Sequence, residues 1–178
     1  MQEEYFDILD EFGNKTGKIK SRSEVHRNGN FHKAVHIWII NDLREILLQR
    51  RCPIKDSDPN MLDISCAGHL TVGDTSIEGA IRELKEELNL DVKESDLEFI
   101  KTIKRCHVSN KTFIDNEYDD FYILRTDKSI SDMKYQVEEI SEIFFVPFQK
   151  FKEMVANKQP NLVIYEEEYE VLLDMFGE

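Results

Sequence analysis

The stretch from Thr75 to Leu88 constrains this chain more than any other. Thr75 and Glu78 have the spacing of a capping box, in which the threonine side chain bonds the exposed amides of a first helical turn. Ile77, Ala80, Ile81, Leu84 and Leu88 then recur at helical spacing and form one apolar stripe. Gly79 is a mild penalty inside the run, and the pattern still predicts a helix over 75–88. Asn89 follows where such a helix closes on a left-handed residue, a place that asparagine fills best after glycine.

Beside that stripe lies the segment Arg82-Glu83-Leu84-Lys85-Glu86-Glu87. At about 100° per residue, Glu83, Glu86 and Glu87 fall within an arc of roughly 100°. They crowd together where the helix meets the rest of the domain. Clustered carboxylates raise one another's pKa unless something positive sits among them. Magnesium suits such a place, being a hard ion that takes carboxylate oxygens and keeps waters in its shell. An arbitrary acidic run is usually a solvated helix face, so the preceding loop, with Gly68, has to decide between the two readings.

Around this helix the chain reads as mixed α and β. Tyr5 to Leu9 is a short strand ended by Asp10-Glu11-Phe12-Gly13-Asn14, and Asn28-Gly29-Asn30 marks a second stop. Phe31 to Ile40 is aromatic and β-branched enough for a central strand, and Glu45 to Arg51 returns from it as a hairpin. Pro53 to Asn60 is a polar loop, and Ile64 to Val72 reads as extended. Leu97 to Val108, Thr112 to Arg125 and Ile140 to Phe148 are further strands, and Phe148 to Ala156 and Ile164 to Phe176 are helical. Without regular alternation, this predicts an α+β fold or a helix–sheet–helix sandwich.

At 178 residues, with 40% hydrophobic and 33% charged residues, the chain fits one globular domain. Its net charge of −13 repels a phosphate backbone, so duplex nucleic acid is not an expected partner. The same charge repels a small anionic substrate unless divalent cations neutralise the carboxylates where it binds. Cys52, Cys66 and Cys106 form no CxxC pair and read as thiols of a reducing cytosol. The first residues lack a signal-peptide pattern, and apolar runs such as Val35 to Ile40 are too short to span a bilayer. A cytoplasmic protein free of the membrane is expected.

The pattern from Gly68 onwards resembles the Nudix box, G-x5-E-x7-R-E-U-x-E-E-x-G-U, with U an aliphatic residue. Gly68, Arg82, Glu83, Leu84, Glu86, Glu87 and Leu90 stand at the matching spacings. Asp74 replaces a glutamate with a shorter carboxylate, and Asn89 replaces the glycine at the helix end. The stretches EYFDILDEFGNKTG, VHRNGNFHKAVHIWI, LLQRR, DISCAGHL and DNEYDDFYIL are similar to the Nudix branch related to isopentenyl-diphosphate isomerase. The resemblance covers most of residues 4 to 150. It implies a Nudix-type α/β/α sandwich with a mixed sheet and a loop-helix-loop box. On that reading residues 1–178 are one domain: an N-terminal β-hairpin extension over 1–30, a core over 31–150 and a helical segment over 151–178.

The resemblance also implies chemistry. The Gly68 carbonyl with Glu83, Glu86 and Glu87 would hold Mg2+, with Mn2+ as an alternative, for hydrolysis of a diphosphate bond in a nucleoside diphosphate derivative. Arg82 and Asp74 would support the site, and Arg50, Arg51 and His69 would contact the substrate. Because Arg50 and Arg51 are adjacent in a strand, only one of them can face the site. The general base would be Glu83 or Glu117, with Glu138 and Glu139 as weaker candidates. Trp38 and Tyr118 could stack on a base, although core packing suits Trp38 better. Homodimers are common among similar proteins.

The isomerase branch supplies the rival reading, since its chemistry uses a cysteine directly before a Gly-His pair. Here Ala67 precedes Gly68-His69 and Cys66 stands one place earlier, which in an extended segment turns its side chain to the opposite face. Similar isomerases also retain little of the full acidic pattern, which this chain keeps. His32, His69, Asp115 and Glu117 correspond to the isomerase-like second metal site, with contacts to substrate or a structural role as the other readings. A non-catalytic nucleotide-binding protein on the same fold is a third.

Overall fold

The computed structural model describes residues 3–177, so the outermost residues of the expected 1–178 domain lie outside the described residues. The chain opens with a hairpin, β1 (Tyr5–Leu9) and β2 (Lys15–Ser21), followed by α1 (Arg22–Asn28). Then come β3 (His32–Asn41), β4 (Glu45–Arg51), β5 (Leu62–Asp63), β6 (Cys66–His69) and α2 (Ser76–Leu88). The second half adds β7 (Leu97–Asn110), β8 (Phe113–Thr126), β9 (Ile140–Pro147), α3 (Phe148–Ala156) and α4 (Glu166–Phe176).

The main sheet runs β5-β4-β3-β8-β7, with β6 also on β3 and β9 also on β4. It is mixed: β3 and β8 are parallel over their length, and the other pairs are antiparallel. A strand with neighbours on both edges and a layer on both faces must be apolar nearly throughout. This is why β3, His32–Asn41, is buried almost end to end.

Each face has its own core. One packs Val35, Ile37, Ile39, Cys66 and Tyr122 against Ala80, Leu84 and Leu88 of α2. The other packs Trp38, Ile40, Phe121 and Ile123 against Phe151 of α3 and Tyr169, Leu172 and Phe176 of α4. At roughly 1.5–3 kcal/mol per fully buried large side chain, these two layers hold α2 and α4 on opposite faces of the sheet. The result is the α/β/α sandwich that the pattern of elements predicts.

One local reading needs correction, and two further elements stand where no individual element is expected. The stretch Ile64 to Val72 is not one strand; only Cys66–His69 is paired with β3. Ser65 interrupts it, because its hydroxyl donates to the Leu47 carbonyl (2.6 Å) and accepts from the Ile39 amide (2.8 Å). Lys15–Ser21 is a strand although it is exposed and lysine-rich, since its pairing with β1 supplies what side-chain alternation does not. Arg22–Asn28 is a helix with its own start signal: Ser21 and Glu24 form a reciprocal capping box. Helix α2 has the expected cap at Thr75, and Asn89 closes it in the left-handed region at φ 54°.

Candidate active site

Helix α2 lies against β6, and Gly68 marks the closest approach. A Cβ at Gly68 would stand 2.0 Å from Cδ of Glu83, so no other residue leaves room for that carboxylate. Arg82 ties helix and loop together. Its guanidinium donates to Oε1 of Glu83 (2.6 Å), Oε2 of Glu86 (3.3 Å), the His69 carbonyl (2.9 Å) and Oδ2 of Asp74 (3.2 Å). That Asp74 oxygen also accepts from the Thr71 amide (3.0 Å) and hydroxyl (2.9 Å). The shorter carboxylate at position 74 therefore still reaches both the turn and the arginine.

Glu83 and Glu87 are buried, whereas the Glu86 side chain is about half exposed. Burial pushes the Glu83 carboxyl up to about 7 even though Arg82 pulls it down. Burial, with Glu83 nearby, pushes Glu87 up to about 8. Oε2 of Glu87 is buried with no hydrogen-bond partner. An acid cluster with too few cations and an orphaned carboxylate oxygen is what a divalent cation would relieve, so these residues fit one.

On the opposite face of the sheet, His26 of α1, His32 of β3, His69 of β6 and Asp115 of β8 bring ligand atoms within 4.8 Å of one another. Nδ1 of His26 lies 2.9 Å from the Arg22 carbonyl, and Nδ1 of His32 lies 3.1 Å from that of Asn30. Carbonyls only accept, so both Nδ1 atoms carry a hydrogen, and both Nε2 atoms turn inward. Nε2 of His26 and of His32 lie 3.3 and 3.7 Å from Oδ1 of Asp115, and all three atoms lack a hydrogen bond. Burial holds His32 and His69 below the usual histidine range. Glu117 sits beside them, 3.2 Å from Nε2 of His69 and 3.4 Å from Arg105. Burial favours its neutral form, but His32 and Arg105 outweigh that and lower its pKa.

Further along the same face is a buried ionic network. Glu168 of α4 accepts from Nδ1 of His36 (2.6 Å) and from the Trp38 indole (2.6 Å). Nε2 of His36 faces Asp119 at 3.8 Å. Burial opposes the charge on His36, but Asp119 and Glu168 prevail and push it up to about 10.

A model of the NUDIX domain matches residues 30–165. The chain belongs to that family. Among curated proteins it is similar to Nudix hydrolase 3 of Arabidopsis thaliana, 39% identical over 98% of this chain but only 23% of that protein's length. An uncharacterized Nudix hydrolase of Clostridium acetobutylicum is 37% identical over 89% of this chain and 77% of its own. An isopentenyl-diphosphate isomerase of Photorhabdus laumondii is 26% identical over 87% of this chain and 84% of its own. Among solved structures, a MutT protein of Methanosarcina mazei superposes with a TM-score of 0.64 at 18% identity, covering 83% of this chain and 96% of its own. A Deinococcus radiodurans protein gives 0.65 at 22%, covering 86% and 90%. At those identities the superpositions establish the Nudix fold.

The remaining candidates divide by location. Arg51 turns inward, donating to Asp63 (2.6 Å) and to the Ser57 carbonyl (3.1 Å), and Arg50 pairs at the surface with Glu142 (3.2 Å). The two do point to opposite faces. Glu139 pairs with Lys55, and Glu138 is exposed. Trp38 is core, and Tyr118 holds the N-terminal hairpin by donating to the Glu11 carbonyl (2.6 Å). Cys66 is fully buried on the α2 face, and Ala67 packs on the other. His26 lies in the stretch VHRNGNFHKAVHIWI but is not among the expected site residues; the Ser21 capping box sets it near the end of a short helix.

Proposed function

We propose that this Nudix protein is a divalent-cation-dependent hydrolase that cleaves a diphosphate bond in a nucleoside diphosphate derivative by attack of water on phosphorus. The observation that carries this reading is the buried, unpartnered Oε2 of Glu87 beside a second buried carboxylate, Glu83. Glu83, Glu86, Glu87 and the Gly68 carbonyl would hold Mg2+, with Mn2+ as an alternative. A bound ion there supplies an acidified water and a counter-charge for the phosphate.

The chain's own residues do the rest. Arg82 and Asp74 keep the loop and α2 at fixed separation, which positions the Glu83 carboxylate over Gly68. Glu83, with its pKa near 7, suits a proton acceptor for the attacking water better than Glu117, which is held ionised by its cationic neighbours. Arg51 is the better placed of the two arginines to grip a phosphate, although it would have to share its donors with Asp63. His69 joins the two clusters, since its carbonyl accepts from Arg82 and its ring meets Glu117. We assign His26, His32, His69, Asp115 and Glu117 as a second cation site, supported by the Nε2 atoms of His26 and His32 that face the unsatisfied Oδ1 of Asp115. Residues 1–30, 31–150 and 151–178 would act together as one domain in the cytoplasm. No helix among the described residues is long and apolar enough to cross a membrane.

Isomerase chemistry is the second reading, favoured by the sequence similarity to isopentenyl-diphosphate isomerases. It is disfavoured by Cys66, whose thiol lies under α2 with its pKa raised by burial. The test is a panel of nucleotide and other diphosphates with Mg2+, assayed by phosphate release, for the wild type and for Glu86→Gln, Glu87→Gln. Turnover by the wild type and its loss in the variant are expected. No turnover on any substrate, or a fully active variant, sinks the hydrolase, and isomer formation from isopentenyl diphosphate would promote the rival.

A further inference from the structure

The parallel pairing of β3 with β8 sets two columns of side chains on the α4 face of the sheet. His32 stands opposite Glu117 and Ala34 opposite Asp119, with His36 one step further along β3. Alternate residues of a strand share a face, so His32, Ala34 and His36 line up beside Asp115, Glu117 and Asp119. His32 and Asp115 belong to the cluster with His26 and His69. His36 and Asp119, at the other end of the columns, do not. With Glu117 they form a separate group: each residue brings a ligand atom within 4.8 Å of the others, and all three are buried.

Asp119 is the acid of this group that the protein leaves unanswered. It is 0% exposed, and neither of its oxygens has a hydrogen-bond partner. Nε2 of His36 faces it at 3.8 Å, too far for a hydrogen bond. Arg105 donates to Glu117 (3.4 Å) and not to Asp119. Bonds of about 2 Å from each side to a shared ion would span the gap between His36 and Asp119. The far side of the imidazole agrees. Nδ1 of His36 donates to Glu168 (2.6 Å), whose other oxygen is fixed by the Trp38 indole (2.6 Å). A metal-ligating imidazole usually donates its second N–H to a carboxylate in this way, which fixes the ring and its tautomer. In the metal-free protein the surrounding acids keep Nε2 protonated as well, and a bound ion takes the place of that proton.

From this arrangement we infer that His36, Glu117 and Asp119 hold a further divalent ion of the Zn2+ or Co2+ kind between β3 and β8, with Glu168 of α4 as its outer partner. An imidazole among carboxylates favours such ions over Mg2+. With both oxygens unpartnered, Asp119 offers two donors. Nε2 of His36 and one oxygen of Glu117 bring the set to the four that a closed structural site uses. Through Glu168 the ion ties α4 to the sheet, so its role is in stability. No residue of α2 takes part, and the inference stands apart from the hydrolase reading. It shares only Glu117 with the neighbouring cluster.

The test measures Zn2+ bound per chain by elemental analysis after dialysis against buffered Zn2+, with folding checked by melting in EDTA. Asp119→Asn is expected to remove one equivalent from the wild type and one from His26→Gln protein, because the two clusters are separate sites. The rise in melting temperature on adding Zn2+ should be smaller in Asp119→Asn than in the wild type. Glu168→Gln, which alters the outer partner, should weaken Zn2+ binding by about 10–100-fold. If the wild type binds no Zn2+, or Asp119→Asn binds as much as the wild type, the inference falls. It also falls if Asp119→Asn removes an equivalent from the wild type but none from His26→Gln protein, since one site then spans both clusters. An Asp119→Asn protein destabilised equally with and without Zn2+ would make Asp119 a partner of the His36 charge and no ligand. Should Asp119→Asn fail to fold, His36→Gln takes its place in each comparison.

Discussion

Two buried carboxylates on opposite faces of the sheet, Glu87 under α2 and Glu168 under α4, are met in opposite ways. Under α2, Glu83 pairs with Arg82, and Glu87 keeps an unpartnered oxygen. Under α4, Glu168 accepts from both His36 and Trp38, and Nε2 of His36 faces Asp119 at 3.8 Å. Burying a charge costs several kcal/mol unless a partner compensates it. Glu168 has its compensation built in, whereas Glu87 leaves part of it to be brought in, as do the atoms of His26, His32 and Asp115 further along the α4 face. An acid-rich cluster is a sign of function when its neighbours fail to neutralise it, and of structure when they succeed.

The largest effect that could break this contrast belongs to Glu168→Ala. Removing one member of a buried, hydrogen-bonded ion pair strands its partner and costs about 3–5 kcal/mol. Denaturant unfolding should show that loss, with Mn2+ binding at the box little changed in whatever fraction folds. An unaltered midpoint would mean the network contributes nothing to stability and the comparison fails.

Next in size is Gly68→Ala. Its Cβ would meet the Glu83 carboxyl at 2.0 Å, so the carboxylate must leave its place over the strand. Metal affinity should fall by about 10–100-fold, measurable by titration calorimetry. Wild-type affinity would show that Glu83 is not held there for metal.

A smaller effect comes from pH. The folded-state pKa values of Glu83 and Glu87, about 7 and about 8, lie above the ordinary value of 4.5. Between those limits the folded chain binds more protons than the unfolded one, so metal-free stability falls as pH rises from about 4.5 to about 8. A cation binds the deprotonated acids, so the gain in melting temperature on adding Mg2+ should be larger at pH 8.5 than at pH 6. His36 behaves differently: its contribution is fully present below about 6.5 and is lost only as pH rises through about 10. A Mg2+ gain that is flat or shrinks with pH would remove the distinction between the two carboxylate sites.

Much of the α2 face is legible in the sequence. Thr75, Glu78 and Asn89 mark both ends of the helix by local chemistry, and the positions of Glu83, Glu86 and Glu87 follow from helical period alone. Gly68 can be matched to a box, but its reason, the space taken by Glu83, is a contact between segments. The α4 face is mostly hidden. Glu168 reads as one acid among several at the start of a helix, and its bonds to His36 and Trp38 span more than a hundred residues of chain. The burial of His26 and the pairing of Lys15–Ser21 depend on Phe6 and β1, which lie outside their own segments.

By itself, then, the sequence determined the capped carboxylate helix, the strand-rich core and the family resemblance, because helical period, capping and β-branching act over a few residues. Only the tertiary structure decided which charges are answered. It left Oε2 of Glu87 without a partner, set Cys66 under α2 with Ala67 on the other face, and closed His26, His32, His69 and Asp115 into one cluster. Those outcomes depend on desolvation and on distances between segments remote in the chain, and neither quantity exists until the layers have packed.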